Sequence, residues 1–247
     1  MTSIDIKRGD KTVTFKGELL LAPSEQNTLP FRMLCKSFGA AGAFTKPIAT
    51  KNDLVTSPQE TPLIAALVQA KYLNDLENNK DISALSLDMT TLSKEDCKKI
   101  AEKTTKPLIA KITPQSQIHL AKKDISAIYL EFIKEGKEQP IDHKFVEMLK
   151  HDYNVPIIVR SKVEVPEDIY SILKKTEGNM VAIGDLAFSQ PVIFEQTNNY
   201  FEKGYYNKIT RKRREKEVSA LEEVWDEFGE EYSDDEKQKL IDIFLEE

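Results

Sequence analysis

The chain has 247 residues, 40% hydrophobic and 31% charged, with a formal net charge of −6 at neutral pH. That is an ordinary globular composition with material for one large core or two small ones. The negative balance excludes a wholly basic nucleic-acid-binding surface, though not a local basic patch.

Two cysteines, Cys35 and Cys97, make neither a disulfide framework nor a metal-binding spacing. No apolar run approaches the ~18 residues of a membrane helix. The charged opening MTSIDIKRGDK lacks the apolar core of a signal peptide. The expectation is a cytoplasmic protein in a reducing compartment, with no membrane partner.

Taken in chain order, short β-rich apolar runs alternate with helical patterns. Residues 12–17, Thr-Val-Thr-Phe-Lys-Gly, read as half of a hairpin that plugs a barrel bottom. Strands are predicted at residues 19–22, 43–45, 63–67, 84–87, 108–112, 127–132, 156–159 and 180–183. Their apolar character is continuous rather than alternating, as in parallel sheets buried on both faces. Between them, Ser93 is a candidate N-cap with Asp96 at the third helical position. Residues 141–151 carry Ile141, Phe145, Met148 and Leu149 on one stripe. Pro166 opens another helix at its first turn. Eight such units favour a closed α/β barrel, a (β/α)8 TIM barrel, over an open doubly wound sheet.

The barrel pattern ends near residue 201, so we divide the chain into a barrel domain, 1–201, and a short helical tail, 202–247. The tail is basic, then acidic. Ser233-Asp-Asp-Glu reads as a capping box for a last helix with Leu240, Ile243 and Phe244 on one side. Trp225, Val218, Leu221 and Phe228 are expected to pack the tail on the barrel or on a protein partner.

The stretch ELLLAPSEQNTLPFRMLCKSFGAAGAFTK, residues 18–46, ends one strand at Ala22-Pro23 and starts a helix at Pro30-Phe-Arg. Lys106-Pro-Leu-Ile-Ala-Lys-Ile follows at mid-chain, and Val181-Ala-Ile-Gly-Asp-Leu-Ala-Phe-Ser-Gln-Pro-Val-Ile-Phe near the end. In this order the three motifs resemble the tRNA-dihydrouridine synthases over roughly residues 15–200: A-P-M, P-F-R and T-E-M, then P-V-T-V-K-I, then I-G-R-x-A-x-x-x-P-W-x-F. The resemblance implies a flavin-dependent reductase of uridine in tRNA. FMN would sit at the C-terminal ends of the strands, with NADPH as reductant and a cysteine acid. It assigns Ala22, Pro23, Gln69, Lys111, Arg160 and Gly184 to the cofactor. Ala22-Pro23 is equally readable as a strand stop in any barrel. Lys111 would either stabilise a reduced flavin or pair with a carboxylate such as Asp88 or Glu131.

Several family positions differ. Asp88-Met-Thr-Thr-Leu-Ser-Lys-Glu-Asp stands in place of the N-x-G-C-P loop, without its cysteine. Cys97 lies in the following helix and Cys35 in the first, both as packing residues. Glu131 replaces a histidine, Lys46 a glutamate, and Arg160-Ser161-Lys162 an N-G-D. Asp185 replaces an arginine beside the expected phosphate, where like charges repel; Arg160 and Lys162 are candidates to compensate. The three histidines, His119, His143 and His151, are expected on solvent-facing helical segments. The alternative function is therefore an inactive barrel that serves as an RNA- or protein-interaction module. In the tail, Tyr205-Tyr-Asn-Lys-Ile-Thr-Arg-Lys-Arg-Arg mixes rings with cations. Lys208, Arg211, Lys212, Arg213 and Arg214 are candidate RNA contacts, tRNA included. The other reading of these cations is a solvated face with intrachain pairs such as Arg213 with Glu217.

Overall fold

The computed structural model describes residues 2–60, 62–176 and 179–245. Eight parallel strands close into a barrel: β3 (Leu19–Leu21), β4 (Gly42–Phe44), β5 (Leu63–Leu67), β6 (Ile82–Asp88), β7 (Leu108–Ile112), β8 (Ala127–Glu131), β11 (Ile157–Arg160) and β12 (Met180–Ile183). Each of the eight predicted strands falls on one of them. Closure is made by β12 beside β3, with Ala182 opposite Leu20. Ahead of the barrel, β1 (Ser3–Arg8) and β2 (Lys11–Lys16) form an antiparallel hairpin. Its inward residues Ile4, Ile6, Val13 and Phe15 join Leu20, Phe44, Ile64, Tyr129 and Ile158 in the core inside the barrel. The expected bottom plug is thus present, and Phe15 packs against Gly42 at the entry of β4.

A second core lies between the strands and the outer helices. These are α1 (Leu29–Ser37), α2 (Leu73–Asn78), α3 (Lys94–Lys103), α4 (His143–Tyr153), α5 (Pro166–Thr176), α6 (Asp185–Ser189) and α7 (Ile193–Lys203). Ser93 caps α3, accepting from the Asp96 amide at 3.1 Å. Cys35 and Cys97 are buried in α1 and α3, and burial pushes the Cys97 thiol up to about 11.

Four expectations are corrected. Among the described residues the β4–β5 and β7–β8 connections carry only single 3₁₀ turns, at Lys51–Asp53, Pro58–Glu60 and Lys122–Asp124, where helices were expected. His119 therefore lies in a loop. In α4 the buried residues are Val146 and Leu149, while Met148 is 49% exposed. Asp142 caps this helix at Phe145, and two residues on from Val146 a side chain points about 200° away, to the solvent side. Between β8 and α4 a small hairpin that the sequence reading lacked, β9 (Ile133–Lys134) and β10 (Lys137–Glu138), rises at the strands' C-terminal end.

The tail forms α8 (Arg211–Phe228) and α9 (Asp234–Leu245). Leu221, Trp225, Leu240 and Phe244 are buried in the outer core, so its apolar face is covered by the barrel itself. The Phe31 ring stacks on Phe188 and meets Phe244 at 6.4 Å. Tyr232 accepts from the Leu29 amide at 3.0 Å, which ties the α8–α9 turn to the start of α1. Ser233 and Glu236 complete the expected capping box. No helix among the described residues is long and apolar enough to cross a membrane.

Candidate functional site

Strand register brings the rim residues together. Asp88 ends β6 beside Lys111 on β7, and Glu131 ends β8 beside Arg160 on β11. Lys111 Nζ lies 3.0 Å from Asp88 Oδ2 and 3.1 Å from Glu131 Oε2. Burial pulls this ammonium down, but Glu131 and Asp88 outweigh it and hold it above its ordinary value. Asp88 is held below the carboxylate range, because Lys111 and hydrogen bonds from Thr90 overcome its burial. Of the two roles open to Lys111, the structure shows the carboxylate pairing.

Arg160 is the centre of the rim. Its Nε donates to Glu138 Oε1 at 2.7 Å and its Nη2 to Asp185 Oδ1 at 3.0 Å. Nη1 reaches the Pro23 carbonyl at 3.2 Å and Glu131 Oε1 at 3.4 Å. Tyr129, rising from inside the barrel, donates to the same Glu131 oxygen at 2.7 Å. Glu138 comes from β10, and burial raises its carboxyl despite Arg160. The Glu135-Gly136 turn that aims it has both φ values positive, 52° and 74°, the signature of a two-residue type I′ hairpin.

Barrels of this kind seat phosphates at the loops after their last two strands, beside a short extra helix. Here that place is filled. A Cβ at Gly184 would collide with Glu138 Oε1 and the Arg160 guanidinium. The Asp185 amide points to Glu138 Oε1 at 3.3 Å. The rim therefore does not fit the phosphate of an FMN: a carboxylate of the chain already takes the cation and the amide. Four carboxylates, Asp88, Glu131, Glu138 and Asp185, face two cations, Lys111 and Arg160, so the cluster is net negative.

The other expected cofactor residues scatter. Ala22 is buried, its amide bound to the Ile183 carbonyl at 2.9 Å, and Pro23 serves through its carbonyl. Gln69 lies exposed, two residues past β5, outside the ion cluster. Lys162 turns outward to Glu164 at 2.6 Å and leaves the rim to Arg160. Lys46 pairs with Asp53 at 2.8 Å. Sequence reasoning missed Glu138, and also Asn27, whose Nδ2 ties the Ala22 and Phe44 carbonyls at 2.8 Å each. It missed the buried pair of Arg32 and Glu60 at 2.6 Å as well.

The tail cations divide. Lys208, Lys212 and Arg213 line a cleft of about 470 Å³ between α7 and the start of α8, together with Lys216. Arg213 pairs there with Glu195, not with Glu217, and lies 5.5 Å over the Phe38 ring. Arg214 turns the other way, to the Phe244 carbonyl at 2.6 Å and the Ser189 carbonyl at 3.3 Å. Arg211 is exposed and pairs only loosely with Glu215 at 3.4 Å.

The sequence profile of the dihydrouridine synthase (Dus) family matches residues 133–243, from β9 through most of α9. Over this segment, less than half of the chain, the sequence is similar to that family. The matched segment includes Arg160, Gly184 and all five tail cations. Solved barrels share the fold at low identity. N-acetylmannosamine-6-phosphate 2-epimerase from Clostridium perfringens is 16% identical with a TM-score of 0.52, over 76% of this chain and 93% of that one. Phosphoribosyl anthranilate isomerase from Thermococcus kodakaraensis is 9% identical with a TM-score of 0.53, over 76% and 99%. The Amycolatopsis orientalis BexX/CysO complex gives 14%, 0.54, 83% and 98%. These likenesses speak for the barrel fold alone. No curated protein matches the chain's sequence significantly.

Proposed function

We propose that this Dus-like barrel is an RNA-binding protein, with tRNA as the ligand class its family suggests, and that it has exchanged flavin chemistry for a closed ionic rim. The observation that carries this proposal is the Glu138 carboxylate on Arg160 and on the Asp185 amide, where a phosphate would otherwise be held. The absence of a cysteine from the loop after β6 supports it, since the uridine reductase of the family needs an acid there. The basic cleft at the head of α8 supports the RNA half. A cytoplasmic location goes with such a role.

The competing function, an FMN- and NADPH-dependent reduction of uridine in tRNA, draws on the same fold and on Lys111 at the rim. Titration with FMN, followed by quenching of flavin fluorescence, separates the two. We expect no saturable binding at micromolar FMN, and no dihydrouridine in tRNA incubated with the protein, FMN and NADPH. Stoichiometric FMN binding, or dihydrouridine formed in that mixture, would overturn the exchange.

A further inference from the structure

Beside the basic cleft lies a surface group of rings that the rim does not use. Tyr170 on α5 meets Tyr200 on α7 edge-on at 5.7 Å and Phe201 at 5.8 Å. Tyr200 in turn meets Tyr206 at 6.1 Å. Lys174 sits 4.6 Å over the Tyr170 ring. Tyr205, in the turn after α7, is 64% exposed, the most exposed large hydrophobic side chain among the described residues. The rings adjoin the cleft through the chain itself: Asn199 and Asn207 line it, next to Tyr200 and Tyr206, and Lys208 follows three residues after Tyr205. Three chain steps span at most about 11 Å, so the exposed Tyr205 ring and the Lys208 cation stand on one short surface segment, within reach of neighbouring nucleotides.

Within the cleft, Lys208, Lys212, Arg213 and Lys216 face one carboxylate, Glu195. That excess of cations suits a phosphodiester backbone. An exposed ring beside it suits a base whose face is open. In a duplex the base faces are buried against one another, whereas an unpaired strand offers them for stacking. We infer that this face takes an unpaired segment of RNA, with its phosphates along Lys208, Lys212 and Lys216 and a base stacked on Tyr205. The inference rests on the RNA half of the proposed function and adds the strand state and the stacking residue.

Fluorescence anisotropy of a labelled mixed-sequence 12-nucleotide RNA, single-stranded or annealed to its complement, tests it on the full chain. At equal salt the single strand should bind at least tenfold more tightly than the duplex. Tyr205→Ala should weaken single-strand binding fivefold or more, as expected for the loss of one base–ring stack, and leave duplex binding unchanged. Tyr205→Phe should keep the affinity, and Lys212→Gln with Lys216→Gln should weaken both RNAs. Tyr205 is on the surface, so these variants keep the fold, and an unchanged melting curve checks that. Equal affinity for the two RNAs, or full affinity in Tyr205→Ala, would overturn the stacking site and leave RNA binding standing. Failure of both RNAs to bind, or equal affinity for poly-glutamate, would overturn the RNA function with it.

Discussion

Glu217 is fully buried on α8, and neither of its carboxylate oxygens has a hydrogen-bond partner. Burial raises its acid to about 7, against the pull of Arg213 and Arg214 and with some help from Glu195. The folded chain thus holds this proton more tightly than the unfolded one, whose carboxyl titrates near 4.5. Stability must then be complete below that value and decline as pH rises through 7. Thermal melts at pH 5 and pH 8 should show the decline. Glu217→Met, which keeps the length and removes the acid, should flatten the difference and stabilise the protein at pH 8 by up to about 3 kcal/mol. An identical pH dependence in the two proteins would remove Glu217 as its source. The contrast with Arg160 is instructive. That guanidinium is buried too, yet Glu138, Asp185, Glu131 and the Pro23 carbonyl all accept from it. A satisfied buried charge fixes geometry, while an unsatisfied one becomes a pH sensor.

The β9–β10 hairpin is the element on which the rim turns, and it has only two residues in each strand. So short a ladder is held by its turn. Gly136 at φ 74° and Glu135 at φ 52° are both left-handed, a conformation that costs a β-branched residue about 1–2 kcal/mol. Gly136→Val should therefore lower the unfolding free energy measured in urea by that amount and free Glu138 from Arg160, detectable as a shifted arginine Nε resonance. Glu135→Asn should do the reverse, since Asn-Gly suits a type I′ turn. An unmoved Arg160 signal in Gly136→Val would show that Glu138 is held by the rim rather than aimed by the turn. This element also marks where the sequence stops being informative. The barrel strands were legible because short, continuously apolar runs have no other place to go than a two-sided core. The caps at Ser93 and Ser233 were legible because a cap is local chemistry. Two residues per strand carry no periodicity, so only the Glu-Gly pair hinted at β9–β10. The connection from β4 to β5 was misjudged because its order comes from Arg32 and Glu60, a contact far along the chain that no window of sequence displays. For Lys111, pairing with a carboxylate such as Asp88 or Glu131 was one of two readings left open beside a flavin contact, and it was in reach because strand ends must meet around a rim. Gln69 was assigned to that rim by resemblance alone, and lies outside the ion cluster.

At the scale of the whole molecule, charge is partitioned. The chain as a whole is −6, yet four cations gather against Glu195 in the tail cleft and four carboxylates gather at the rim. A polyanion is drawn to the cleft only at short range, since the Debye length at physiological salt is ~8 Å. Counterion release predicts a plot of log affinity against log salt for single-stranded RNA with a slope of about −2 to −3, the value for three or four phosphate contacts at ~0.7 each. Anisotropy at four salt concentrations measures it. A slope near zero would contradict a phosphate-binding cleft, and one near −6 would call for cations beyond those in it. Arg213 and Arg214 complicate any variant that neutralises the whole basic run, because one pairs with Glu195 and the other holds the Phe244 carbonyl. Loss of both would loosen the tail whether or not RNA binds.

The seam of the barrel has a further meaning. Leu20 lies beside Ala182, and Leu29 is tied to Tyr232, so the first barrel strand and the first helix are completed by residues made far later in the chain. On a ribosome, β3 waits with an unpaired edge while most of the chain emerges. Contacts so distant in sequence are slow to form, and an exposed apolar edge invites pairing with other chains in the interval. The barrel consequently cannot close before β12 has been made, and its most vulnerable moment comes just before β12 arrives. A nascent chain arrested ahead of residue 180 should be digested by protease far faster than one arrested after the tail has cleared the exit tunnel.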